Sequence, residues 1–144
     1  MIPIVQPHIG DEEREAVDRV MQTGSLVQGS EVANLEDEFS AIAVAGAHCV
    51  AVNSGTSAQH LAMLAAGIGP GDEVLVPSFT FAATPNSVAL TGAIPVFVDI
   101  EADSFCMSAA SAKEALTPRT KAVMPVHLFG QPANLIALKQ LCTD

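Results

Sequence analysis

At 144 residues the chain is long enough for one domain with a sizeable core and short for two. Its formal net charge of −10, with six Lys and Arg against sixteen Asp and Glu, excludes a nucleic-acid binder, which needs clustered cations to meet backbone phosphates. Cys49, Cys106 and Cys142 are scattered, with no CxxC pair and no metal-like spacing with the histidines, so neither a disulfide framework nor a metal site is expected.

Nine of the sixteen acids lie between Asp11 and Glu38, interleaved with apolar residues at helical spacing. They read as the solvated faces of two helices. The first is predicted over 11–22, with Ala16, Val17, Val20 and Met21 on one face, acids in its first turn and Gly24 as its stop. The second follows the turn TGSLVQG, with Ser30 as N-cap, a stripe of Leu35, Phe39 and Ile42, and Gly46 at its end.

From there the rhythm changes to short apolar runs alternating with helical segments. Strands are predicted at 48–53 (HCVAVN), 74–77 (VLVP), 94–98 and 121–126. Helices are predicted at 56–66, stopped by Gly67, at 82–90 with Pro85 in the first turn, at 109–116 capped by Ser108, and at 134–141. Residues 39–71 and 74–98 contain no Asp, Glu, Lys or Arg. They are not membrane spans, because His48, Asn53, Gln59, His60, Pro77, Asn86 and several glycines interrupt them. The start, MIPIVQPHIGDEER, has neither the basic nor the apolar region of a secretory signal, so a soluble, cytoplasmic protein is expected.

Continuous apolar strands alternating with helices imply an α/β fold, a mostly parallel sheet with helices on both faces. A single partial domain is expected, 1–46 forming a helical segment and 47–144 the first part of the α/β body. Only 15% of residues are charged, against roughly 25% in ordinary domains. Part of the surface is therefore expected to be covered by further chain or by a partner subunit.

In open parallel sheets ligands bind at the carboxyl ends of strands, and the polar residues gather there. The sharpest candidate is Asn53-Ser54-Gly55-Thr56-Ser57. A strand, S-G-T-S and a helix would put free N–H groups, two hydroxyls and the positive end of a helix dipole in one place, an anion site without Lys or Arg. Gly55 would let the backbone approach closely. Simple helix capping by Ser54 or Thr56 explains the same residues equally well. The loop is neither a Walker loop, lacking G-K-[ST], nor a dinucleotide fingerprint, lacking GxGxxG. GIGPGD at 67–72 follows a helix and precedes a strand, the wrong order for phosphate, so it is a turn. Phe81 could stack on a flat heterocycle, although Phe is more often core. His127 could act as a general acid or base or could be structural. Lys113, Lys121 and Lys139 lack the desolvated setting that a Schiff-base lysine needs.

Three stretches, IGDEEREAVDRVMQTGSLVQGSEVANLEDEF, VAVNSGTSAQHLAMLAAGIGPGDEVLVPSFTFAATPNSVALTGAIPVFVDI and TPRTKAVMPVHLFGQP, together resemble the DegT/StrS-type sugar aminotransferases. These have the aspartate-aminotransferase-like fold of pyridoxal-phosphate (PLP) enzymes, and the match covers nearly the whole chain in the family's order. The resemblance implies the N-terminal part of the large PLP-binding domain, a three-layer α/β/α arrangement. It implies that Gly55, Thr56 and Ser57 hold the PLP phosphate and that Phe81 stacks on the pyridine ring, with Thr80 beside it. Gln28 and Gly29 fall in a loop that approaches the active site, and His127, in V-H-L-F-G, lies near the pocket.

The resemblance further implies a homodimer, a nucleotide-linked keto sugar as acceptor and an amino acid, glutamate, as donor. Family members are more than twice this length, and their pyridine-nitrogen acid and Schiff-base lysine fall beyond Asp144. No catalytic residue is therefore expected within these residues, which alone should not transaminate. Two alternatives stay open: a non-catalytic binding module with a remnant phosphate site, and a PLP-dependent sugar dehydratase in which histidine replaces the lysine.

Overall fold

Glu73–Pro77 (β1) is buried at every residue and is the element around which the second half of the chain is built. In this computed structural model, which describes residues 6–142, it is the middle strand of a three-stranded parallel sheet. Ile94–Val98 (β2) pairs on one side and Thr120–Val123 (β3) on the other, with Leu75 opposite Val96 and Val123. A strand covered on both faces has to be apolar on both, which is what VLVP supplies.

Alternation along β1 divides the core. Leu75 packs with Val98, Cys106, Met107, Ala112, Ala133 and Leu138 on one face. Val74 and Val76 pack with Ile68, Val88 and Ala93 on the other. Ala112 comes from α5 (Ala109–Glu114) and Leu138 from α6 (Leu135–Gln140), while Val88 belongs to α4 (Ala83–Ala89). Helices therefore cover both faces, and the expected α/β layering is present. Each fully buried Leu or Val contributes roughly 1.5–3 kcal/mol.

Glu73 is buried at the amino end of β1, where its carboxylate accepts from the Thr117 hydroxyl at 2.5 Å and from the guanidinium of Arg119. The segment 66–72 between α3 (Gly55–Ala65) and β1 is the expected turn. Gly67 and Gly71 have left-handed backbones, and the Gly69 N–H donates to Asp72 Oδ2 at 3.0 Å.

Two predicted strands are corrected. Residues 48–53 are not a strand, because a ladder needs a neighbour and none pairs with them among the described residues. The Ala51 N–H donates instead to the Glu36 carboxylate at 2.7 Å. The strand predicted at 121–126 pairs only over Thr120–Val123, with one more bond from Met124 N–H to the Leu75 carbonyl at 2.9 Å. Pro125 has no N–H with which to continue. Pro95, by contrast, is tolerated because β2 is an outer strand.

The chain divides into two compact units, Met1–Ala51 and Val52–Asp144. The first holds α1 (Asp11–Thr23) and α2 (Ser30–Ala43). Gly24, at φ 69°, ends α1 as expected. The N-cap of α2 is Gly29, not Ser30, because Gly29 is extended and its carbonyl accepts the Ala33 N–H at 3.1 Å. Beyond α2 the chain leaves through left-handed Ala45 and Gly46. Leu35, Phe39 and Ile42 are exposed, and among the described residues neither helix buries a side chain fully. Among the described residues no helix is long and apolar enough to cross a membrane.

Candidate functional site

Helix α3 feeds β1 through the turn at 66–72 and packs beside α4. Its eleven residues, at about 1.5 Å each, match the length of a five-residue strand. The helix begins where it does because Ser54 is extended, at φ −162° and ψ 157°. The Ser54 Oγ accepts the Ser57 N–H at 3.1 Å, and its carbonyl accepts the Ala58 N–H at 3.0 Å.

The hydroxyls continue this cap into a relay. Ser54 Oγ donates to Ser57 Oγ at 2.9 Å, and Ser57 Oγ donates to Asn53 Oδ1 at 2.7 Å. Among the described residues the N–H groups of Gly55 and Thr56 and the Thr56 hydroxyl have no partner. A Cβ added to Gly55 would have nothing within 4 Å. The first turn of α3 is thus capped by Ser54 and still presents two free amides, one hydroxyl and the positive end of a helix to open space. A dianionic phosphate ester fits such a corner without a lysine or arginine. The capping and anion-site readings are compatible here.

The loop after β1 carries the ring candidates. Phe81 is 79% exposed, so it belongs to the edge and not to the core in which Phe is usually found. Thr80 is half-buried, its hydroxyl 3.0 Å from that of Thr84 in α4. Phe79 turns to an aromatic cluster, edge-on to Phe105 at 6.0 Å and to Phe129 at 6.4 Å between ring centroids. Phe105 and Phe129 both have left-handed backbones, at φ 57° and 54°, an unusual state for a bulky side chain.

His127 follows β3 and precedes a 3-10 turn at Leu128–Gly130. Its Nδ1 accepts the Ala133 N–H at 3.0 Å. That bond requires a lone pair on Nδ1, so the neutral ring carries its proton on Nε2. In the first unit Gln28 is exposed, and Gly29 lines a cleft of about 440 Å³ with Arg19, Thr23, Ser25 and Leu26. Lys113, Lys121 and Lys139 are all exposed.

Thr80 and Phe81 follow β1 and His127 follows β3, on the carboxyl side of the parallel sheet, while the 53–57 loop opens the helix that precedes β1. Sequence reasoning placed Asn53 in the candidate loop without its bond from Ser57, and it did not single out Phe105 and Phe129, against which Phe79 packs. The Phe-Gly pair at 129–130 was a turn signal, but nothing local marks Phe105 as left-handed.

The DegT/DnrJ/EryC1/StrS aminotransferase family model matches residues 7–144. Among solved structures, S. venezuelae DesV is 43% identical, with 92% of this chain and 36% of that chain covered and a TM-score of 0.87. The aminotransferase TlmJ from Streptoalloteichus hindustanus is 38% identical over 99% of this chain and 39% of its own, with a TM-score of 0.90. Spr1654 from Streptococcus pneumoniae, in its PLP form, is 34% identical over 97% of this chain and 36% of its own, also at 0.90. The chain thus spans somewhat over a third of the length of each of these three.

Proposed function

The chain belongs to the DegT/DnrJ/EryC1/StrS aminotransferase family, and from that membership we propose that its residues form the phosphate- and ring-holding part of a PLP site. The enzyme so built moves an amino group from glutamate onto a keto group of a nucleotide-linked sugar. The observation that carries the assignment is the pair of unpartnered amides at Gly55 and Thr56, in a turn where a Cβ on Gly55 would meet no protein atom within 4 Å.

Gly55 and Thr56 grip the phosphate through their N–H groups and Thr56 adds its hydroxyl, with Ser57 completing the turn. Phe81 lies against the flat face of the pyridine ring and shields it from water, with Thr80 at its flank. The bound cofactor supplies an electron sink for bond changes at the amino-bearing carbon. His127, protonated on Nε2, offers a donor on the ring side opposite its anchor at Ala133. Gln28 and Gly29 border the active site from the N-terminal loop.

None of the three exposed lysines is suited to hold the cofactor covalently, so residues 1–144 alone bind without transaminating. The working form is a cytoplasmic homodimer, which accounts for the uncovered apolar stripes of α1 and α2.

The experiment is PLP retention in the full-length protein that carries these residues. Thr56→Ala combined with Ser57→Ala is expected to weaken retention about tenfold or more, through loss of the charge-assisted bond from the Thr56 hydroxyl and of the Ser57 side chain that frames the turn. Wild-type cofactor affinity in that double variant would overturn the placement. With PLP bound, glutamate and a nucleotide-linked keto sugar should support turnover, and inertness toward every such sugar would refute the substrate class.

A further inference from the structure

The relay through Ser57 bears on how the phosphate corner is held open. Every hydroxyl hydrogen in it is already assigned: that of Ser54 to Ser57 Oγ at 2.9 Å, and that of Ser57 to Asn53 Oδ1 at 2.7 Å. Each hydroxyl has a single hydrogen to donate. Neither serine therefore has one left for a ligand, and the free donors of the first turn are the amides of Gly55 and Thr56 and the Thr56 hydroxyl. With the Ser57 hydroxyl as donor, the side-chain oxygen of Asn53 is the atom that faces it.

We propose that Asn53 is a positioning residue for the phosphate corner, acting through Ser57 and not on the cofactor itself. By accepting the Ser57 hydroxyl hydrogen it leaves Ser57 Oγ as the acceptor for Ser54. Ser54, thereby oriented, keeps its own lone pair on the Ser57 N–H at 3.1 Å. The three side chains close a ring of bonds around the first turn of α3. This ring holds the Gly55 and Thr56 amides parallel and outward before any anion arrives. Ser57 is part of this frame and makes no hydroxyl bond to phosphate. Removing Asn53 frees the Ser57 hydroxyl to swing, and the turn loses preorganisation without losing a ligand donor.

The inference rests on the phosphate-site reading above, and its test separates the two. Asn53→Ala, Ser57→Ala, the double variant and Thr56→Ala are made in the holoenzyme that carries these residues. Dissociation constants are measured for PLP and for pyridoxal, which lacks the phosphate, together with the melting temperature of each apoenzyme. Asn53→Ala and Ser57→Ala are each expected to weaken PLP about five- to tenfold, and the double variant no further than either alone. Pyridoxal affinity and apoenzyme melting should stay near wild type, which a merely structural role would not allow.

Additive losses, unchanged PLP affinity in Asn53→Ala, or equal weakening of pyridoxal would overturn the positioning role. If Thr56→Ala left PLP affinity intact, the phosphate-site reading itself would fall. Independently of any variant, a crystal structure of the holoenzyme should keep Ser57 Oγ on Asn53 Oδ1. A Ser57 hydroxyl turned onto a phosphate oxygen there would refute the inference.

Discussion

The carboxylate of Glu73, only 4% exposed, meets the guanidinium of Arg119 across the ladder between the central strand and the segment that enters β3. The same carboxylate accepts the Thr117 hydroxyl, and the Glu73 N–H donates to the Arg119 carbonyl at 2.9 Å. One acidic side chain thus ties the start of β3 to β1 at the point where their register shifts, between Glu73 and Val74.

Arg119→Met leaves a buried carboxylate with the Thr117 hydroxyl as its one remaining side-chain partner. Removing one member of such a set costs about 1–3 kcal/mol. The lower end is expected, because 62% of the Arg119 side chain is in water. Adding Thr117→Val should enlarge the loss. Urea unfolding of the chain measures both, and an unchanged midpoint for the double variant would show that the pin contributes nothing.

Two glycines with the same backbone angle separate strain from collision. Gly46 and Gly92 both have φ 85°. A Cβ at Gly46 meets nothing within 4 Å, whereas at Gly92 it falls 2.9 Å from Cγ of Pro70. Gly46→Ala should cost about 1 kcal/mol, the penalty of a left-handed alanine. Gly92→Ala should cost at least about 1 kcal/mol more, since a proline ring cannot swing aside. Equal destabilisation of the two would contradict this account.

The first turn of α1 should respond to acid. Glu13 Oε2 accepts the Gly10 N–H at 2.6 Å. That bond, and after it the N–H of Glu13 itself, holds the carboxyl below its ordinary value. A lowered pKa in the folded state means stabilisation that is complete above the ordinary value of 4.5 and lost as pH falls through the folded value. The side chain is fully exposed, so the effect is local fraying of the helix start. The Gly10 amide proton shift should titrate with a midpoint below 4.5 and stop doing so in Glu13→Gln; a higher midpoint would reverse the sign.

Phe81 offers a clean split between stability and binding. With 79% of its surface in water it supports little of the core, so Phe81→Leu should change unfolding free energy by no more than about 0.5 kcal/mol. Stacking on a heterocycle contributes on the order of 0.5–1.5 kcal/mol, so the same substitution should weaken PLP about three- to tenfold in the full-length protein. A large loss of stability with unchanged PLP affinity would place Phe81 in the core instead.

Layering and element order were legible because they depend on runs of residue type. VLVP can satisfy a strand buried on both faces, and Gly24 and Gly67 mark the helix ends they were expected to mark. Strand identity was less legible at 48–53, where HCVAVN has the composition of a strand, yet pairing depends on a neighbour that composition does not name. Ser30 fitted an N-cap by residue type, and the extended backbone of Gly29 took that place one residue earlier. At the candidate site, S-G-T-S announced a turn rich in donors. The hydrogen-bond direction from Ser57 to Asn53, which decides which donors remain free, is a matter of rotamers that no residue pattern encodes.

Because the open donors at Gly55 and Thr56 belong largely to the main chain, most side-chain substitutions would leave the underlying polar groups in place. What inheritance has to preserve at this corner is a contour: a residue small enough at 55 and a bend sharp enough at 54. Variation can then wander widely around the motif while the contour survives.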